Sequence, residues 1–504
     1  MNCVKNRLDL VLVNPGAQKQ VYQGLSHTLT AFEPPVWVGL IATFARNRGL
    51  AVRIIDAEAE GYSPEETGEQ IAKLNPVLAA VIVFGSQPSA STQKMTAAGK
   101  TCEAIKRLAP ETKTILGGVH VSALPERTLR EETVDFVCEG EGPFTIVELL
   151  RVLKSNEPNE LEDVPGLWYH KSGQICANPP APVSDDLDRD FPEVAWDLLP
   201  MEKYRAHNWH CFGRLEDRQP YAVLYTSLGC PFKCTFCCIN APFGKPSIRY
   251  RSPQSVLQEI DILVKNYKVK SIKILDEMFV LNKKHVLDIC DLIIERGYDL
   301  NFWAYARVDT VQEDMLVKMK GAGINWLALG IESGSKHVRD GVLKKFGQDD
   351  IKETVRLIQN AGINVIGNYI FGLPDEDFQS MQDTLDLAME LNCEFANFYC
   401  AMAYPGSKLY NLAIEKGWAL PEKWHGFSQH GIDTLPLPTE HLTAGQVLRF
   451  RDEAFQTYFN NPKYLSYIEE KFGQETVAHL KEMVSHKIER CFYDKQPMYQ
   501  HTAE

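Results

Sequence analysis

From Leu8 to about Leu153, short unbroken apolar runs alternate with stretches whose apolar residues recur every three or four positions. The first pattern reads as strands buried on both faces, the second as amphipathic helices. It predicts strands over Asp9–Pro15, Ala51–Ala57, Leu78–Gly85, Lys113–Val119 and Val134–Glu141. Helices fall between them near Val36–Arg48, Pro64–Leu74, Ser89–Leu108 and Pro143–Lys154. Buried strands joined by helical crossovers make a parallel, doubly wound, Rossmann-like α/β sheet. Such sheets bind ligands at the carboxyl ends of their strands, near the topological switch point.

The alternation pauses from about Glu157 to Gln219. There the Pro- and Asp-rich stretch Asn178–Pro192 reads as irregular linker, and Trp196–Tyr204 as a short docking helix. It then resumes six times, with strands over Tyr221–Leu228, Ser271–Phe279, Asn301–Val308, Trp326–Ser333, Asn364–Leu373 and Phe395–Ala403. Helical patterns follow near Gln254–Tyr267, Lys283–Glu295, Glu313–Ala322, Asp349–Ala361, Glu376–Leu391 and Ser407–Lys416. Six such units suit a partial (β/α)6 TIM-type barrel, with reacting groups at the carboxyl ends of the strands. Beyond Gly417 the pattern turns to helices rich in Trp, Tyr and His, such as Thr443–Asn460 and Tyr467–Glu489.

Length and charge narrow the picture. A chain of 504 residues suggests several domains, and the pattern places them at residues 1–156, 157–219 (a connector), 220–416 and 417–504 (a helical cap or substrate region). The net charge of −13 argues against a nucleic-acid partner, which would need clustered Lys and Arg. Met1 to Arg7 is polar and no stretch reaches the roughly 18 apolar residues of a membrane span, so a cytoplasmic protein without an integral membrane segment is expected.

The chemistry concentrates in Gly229–Cys238, Gly-Cys-Pro-Phe-Lys-Cys-Thr-Phe-Cys-Cys, which closes the first strand of the second set. Cys230, Cys234 and Cys237 stand at spacings of four and three. A cubane iron–sulfur cluster normally takes four thiolates, so three on one loop leave one iron open. A structural zinc site would want a fourth Cys or His nearby, and none follows at regular spacing. Cys238, adjacent to Cys237, reads as a packed thiol.

This CxxxCxxC stretch resembles the radical S-adenosylmethionine (SAM) superfamily, in which SAM chelates the open iron of a [4Fe-4S] cluster. The resemblance extends to the strand ends. Asp276-Glu277-Met278-Phe279 ends the second barrel strand where the family meets the SAM amino group, and Arg307 could clamp its carboxylate. Glu332 and Ser333, in Gly330-Ile-Glu-Ser-Gly-Ser335, match the family's ribose contacts. Ile370, in Asn368-Tyr-Ile-Phe-Gly-Leu-Pro-Asp-Glu376, stands where the family contacts adenine.

The first sheet carries Gly and polar residues at its strand ends but lacks Gly-x-Gly-x-x-Gly, so a nicotinamide cofactor is not expected. Ahead of the cysteine loop, it resembles the cobalamin (B12)-binding domain of one branch of the superfamily. Gly117–Glu126 and Asp135–Gly142 carry that likeness. It implies that Gly117 and Gly118 line the nucleotide channel, that Ser86 and Gln87 face the corrin, and that His120, Glu139 and Gly140 belong to the same site. The loop Asn14–Pro35 has no Asp-x-His-x-x-Gly. His27 lies in it, but the likeness implies cobalamin without a protein imidazole below it.

Together these resemblances imply a cobalamin-dependent radical SAM methyltransferase acting on an unactivated carbon or a phosphorus of a small-molecule intermediate. An oxygen-poor cytoplasm and an electron donor such as a flavodoxin or ferredoxin go with that reading. The alternatives are an oxidative cyclase or rearrangement enzyme with the same cofactors, and a cobalamin sensor or carrier with a vestigial cluster.

Overall fold

The computed structural model describes residues 7–23, 31–85, 87–155 and 158–493. The N-terminal sheet contains β1 (Leu10–Asn14), β2 (Val52–Asp56), β3 (Leu78–Val83), β4 (Lys113–Gly118) and β5 (Phe136–Cys138), all parallel. Their order is β2-β1-β3-β4-β5, so the chain leaves β1 to either side and the crevice between β1 and β3 is the switch point. Strands β1 and β3 are buried throughout, as their unbroken apolar runs require. The helix Pro64–Leu74 starts where the sequence predicts because Ser-Pro-Glu-Glu forms a capping box. Ser63 Oγ accepts from Glu66 N at 3.2 Å, and Ser63 N donates to the Glu66 carboxylate at 2.8 Å.

The connector is more ordered than its composition suggests. Two strands, β6 (Leu167–Lys171) and β7 (Gln174–Ala177), join antiparallel and extend the sheet beyond β5. The Trp196–Tyr204 segment is two 3-10 turns, Trp196–Leu198 and Met201–Lys203, separated by Pro200. Val194 N and Trp196 Nε1 both donate to Glu259 in the barrel, at 2.8 and 3.0 Å. Arg251 pairs with the same buried carboxylate at 2.5 Å, so the connector is fastened to the barrel by a buried polar knot in which the Arg251 Nε alone has no partner among the described residues.

The barrel wall is β8 (Tyr221–Leu224), β11 (Ser271–Ile274), β12 (Asn301–Arg307), β13 (Ile324–Glu332), β14 (Asn364–Phe371) and β15 (Phe395–Cys400), parallel and in sequence order. The predicted first strand is broken. Two short strands, β9 (Ser227–Leu228) and β10 (Arg249–Tyr250), pair antiparallel and clamp both ends of the cysteine loop. The break falls where Asp276 takes the Thr226 N–H at 2.6 Å and the Ser227 hydroxyl at 2.6 Å. One apolar core runs from Leu12 and Trp37 through Trp196 to Tyr221 and Phe302, joining sheet, connector and barrel.

In the C-terminal region, Ala444–Phe459 follows the predicted helix, but Tyr467–Glu489 is not one helix. Two are present, Pro462–Phe472 and Gln474–Ser485, divided at Gly473 with φ +84°. Among the described residues no helix is long and apolar enough to cross a membrane.

Candidate active site

The cysteine loop hangs from a backbone that only glycine suits. Gly229 sits at φ +92°, and a Cβ there would meet the Ser247 carbonyl at 2.5 Å. Thr235 N donates to Val342 O at 3.3 Å, and Leu409 N to Thr235 O at 3.0 Å, so the loop is braced by segments following β13 and β15. Cys230, Cys234 and Cys237 all face a cavity of about 1280 Å3 at the barrel mouth. Burial pushes the Cys230 thiol up to about 11 and that of Cys237 well above its usual range. A metal that takes thiolates would reverse this by displacing the protons. Cys238, 3% exposed, also reaches the cavity wall.

The donor set fits an iron–sulfur cluster better than one ion. Among the described residues no three His, Cys, Asp or Glu converge on a single metal position. The ligands of a cubane instead reach separate corners from one soft, thiol-only set.

Four strand ends bring further residues to the cavity. Glu277 follows β11, Arg307 ends β12, Glu332 ends β13 and Ile370 lies in β14. Burial raises the Glu277 carboxyl to about 7, against the opposing pull of Lys273. Glu332 has φ +67° at a shift in register between β13 and β14, a bulge that re-aims its side chain. Its carboxylate pairs with buried Lys344, whose ammonium also donates to Gly330 O at 3.0 Å. Arg307 holds Asp309 through Nε and Nη2, both at 2.9 Å.

Three of the residues grouped with these by sequence turn elsewhere. Asp276 is wholly buried, accepting from Thr226 and Ser227, and braces the bend between β8 and β9. Phe279 is core, opening a 3-10 turn. Ser333 Oγ donates to Glu376 at 3.1 Å behind the strand. A carboxylate, a ring and a hydroxyl at strand ends serve the scaffold as readily as a ligand.

On the sheet side, Gln87 lines the cavity together with Pro88, Ser89 and Gln93. Ser86 and His27 lie outside the described residues. The other cobalamin candidates are engaged within the protein and do not border the cavity. His120 is 1% exposed, its Nδ1 3.2 Å from Thr92 Oγ1 and its ring edge-on to Trp424 at 4.4 Å. Burial drives its pKa down to about 3, so it is a neutral, packed imidazole. Glu139 accepts the Trp168 indole N–H at 2.7 Å from the added hairpin. Gly140 exchanges hydrogen bonds with Ser122. Gly117 and Gly118 end β4, and a Cβ at Gly118 would strike Val83 O at 2.5 Å, so that glycine is demanded by strand packing.

Several cavity residues carry no motif. Lys344 lies beyond β13, and Tyr399, Tyr404, Gln429, His430 and Arg451 come from β15 and the C-terminal region. Gln429 imitates a strand partner, bonding Cys400 N and O at 2.8 and 3.0 Å. These residues gain their place from long-range packing, which leaves no local mark in the sequence.

Residues 224–388 match the model of the radical SAM superfamily, and residues 22–150 that of the B12 binding domain. An uncharacterized methyltransferase of Pyrococcus horikoshii is 30% identical over 459 residues, covering 91% of this chain and 94% of that protein. The anaerobic magnesium-protoporphyrin IX monomethyl ester cyclase of Rubrivivax gelatinosus is 25% identical over 470 residues, covering 92% and 80%. The radical SAM methyltransferase TsrM of Kitasatospora setae superposes with TM-score 0.66 at 17% identity, over 95% of this chain and 98% of that one. At that identity the likeness speaks to the fold.

Proposed function

The chain belongs to the cobalamin-dependent radical SAM enzymes, and from that premise we propose that it methylates an unactivated carbon, or a phosphorus, of a small-molecule intermediate. The observation that carries this reading is the relative named a methyltransferase, which this chain matches along nearly its whole length. Its cofactors, a [4Fe-4S] cluster, SAM and cobalamin, together supply a carbon radical and a methyl donor when bound.

The residues then divide the labour. We assign Cys230, Cys234 and Cys237 to the cluster, leaving one iron for SAM. Glu277, half-buried beside them, faces the SAM amino group, and its raised pKa makes its charge sensitive to that partner. Glu332, held by Lys344, accepts from the ribose hydroxyls, and Ile370 packs against the adenine. Gln87 and its neighbours present the sheet side to the corrin. The rings of Phe232, Tyr305, Tyr399 and Tyr404 exclude water and oxygen from the shared cavity. A low-potential one-electron donor such as a flavodoxin or ferredoxin supplies the reducing equivalent.

Anaerobic incubation with methyl-labelled SAM and candidate substrates tests the proposal, which expects label in the product. The second reading, an oxidative cyclase or rearrangement, draws on the Rubrivivax relative. It expects 5′-deoxyadenosine and a converted substrate without label.

A further inference from the structure

The guanidinium of Arg307 is built into the cysteine loop. Nη1 donates to Cys234 Sγ at 3.5 Å, and the guanidinium carbon lies 3.9 Å from the centre of the Phe232 ring within the same loop. On the other side, Asp309 grips Nε and Nη2 at 2.9 Å each, so the side-on fork suited to a carboxylate is already filled. Arg307 is 5% exposed, and its own backbone is tied to Thr310, which accepts from Arg307 N at 3.3 Å and donates to Arg307 O at 2.9 Å. These contacts fix one N–H on one sulfur.

We propose that Arg307 acts on the cluster through the sulfur of Cys234, raising its reduction potential, rather than clamping the carboxylate of SAM, with Asp309 as the residue that positions it. The inference rests on the assignment of Cys234 as a cluster ligand and is independent of whether a methyl group is transferred. A cluster that accepts one electron from the donor gains one negative charge. Hydrogen bonds to the sulfurs and nearby positive charge favour that state, and burial keeps the field from being screened. Asp309 offsets part of the Arg307 charge, so the pair sets the potential between two limits.

The test is an EPR-monitored redox titration of the full-length, anaerobically reconstituted protein, with iron content and SAM affinity measured alongside. R307M is expected to hold roughly tenfold less reduced cluster at a fixed poise, a downward shift of about 59 mV. Its SAM dissociation constant stays within about twofold. R307K falls between, keeping the charge without the fork, and D309N moves the potential upward. An unchanged potential in both R307M and D309N at full iron content overturns the inference. So does a collapse of SAM affinity in R307M without a change in potential, which would return the residue to the carboxylate. Wild-type protein that takes up no iron would instead remove the cluster assignment itself, and this inference with it.

Discussion

At the barrel mouth, Glu277, Arg307, Glu332 and Ile370 come from four successive strands and meet in one cavity. At the facing sheet, His120, Gly118 and Glu139 also stand at strand ends, yet each turns to Thr92, Val83 or Trp168. The two regions share a topological rule and differ in what surrounds them. The barrel strands close around a common axis, so their ends converge. The open sheet spreads its ends, and the hairpin β6–β7 and the C-terminal segment around Trp424 cover some of them. Residue type at a strand end thus foretells a place on the cavity wall better in the barrel, where four of seven candidates reach it, than in the open sheet, where Gln87 alone of the described candidates does.

The largest effect that would break this comparison is loss of the cysteine loop. Changing Cys230, Cys234 and Cys237 together to Ala is expected to reduce 5′-deoxyadenosine release to the level without enzyme, while the sheet keeps its cobalamin. Iron and cobalt analysis of the same sample, with chromatography of the nucleoside, checks both halves. Loss of cobalt with the iron would show that the two ends are not separable.

Much of this was legible in the sequence. The strand-like runs located all five parallel strands of the first sheet, most plainly β1 and β3, whose unbroken apolar sequence follows from burial on both faces. The helix Pro64–Leu74 was legible from its apolar period, and the capping box at Ser63 explains why its start was placed correctly. The hairpin β6–β7 was missed, although Lys171-Ser-Gly-Gln174 carries a two-residue turn signal. Ser172 and Gly173 have φ +50° and +79°, the twist that suits a tight hairpin. Lys344 was not legible at all. It lies in a loop, and only the bulge at Glu332 brings the two charges together.

That buried pair gives the next prediction. Lys344→Met leaves the Glu332 carboxylate buried without its partner, which costs about 3 kcal/mol. Denaturant unfolding should register the loss, and SAM affinity should fall with it. Changing both residues to an apolar pair should restore stability but not SAM affinity, since the ribose acceptor is then gone. Recovery of both would leave Glu332 with a structural role only.

A smaller effect concerns the C-terminal wall. Burial alone would raise the Asp452 carboxyl, but Arg451 and Arg490 outweigh it and hold it down at about 2. A carboxylate depressed below its unfolded value of 3.8 adds stability above that pH and loses it as pH falls toward 2. Asp452→Asn should therefore cost about 2 kcal/mol at neutral pH and flatten the acid limb of the stability curve, as followed by thermal unfolding across pH. An acid limb identical to wild type would contradict the ion-pair account.

The smallest effect sharpens the sheet side. The His120 imidazole packs edge-on to Trp424, and its neutral state follows from burial with no ligand required. Replacing it by Gln keeps a polar atom near Thr92 but loses the ring contact, a cost of about 1 kcal/mol. Cobalamin affinity should change by no more than about twofold, because no atom of the ring borders the cavity. Trp424→Ala should produce a stability loss in the same region, and the two changes together should cost less than their sum, as expected of residues in contact. Absorbance of the bound corrin during titration reads the affinity, and unfolding reads the coupling. A large fall in cobalamin affinity in the His120 variant, without a matching loss of stability, would move this imidazole from the packing of the sheet to its ligand.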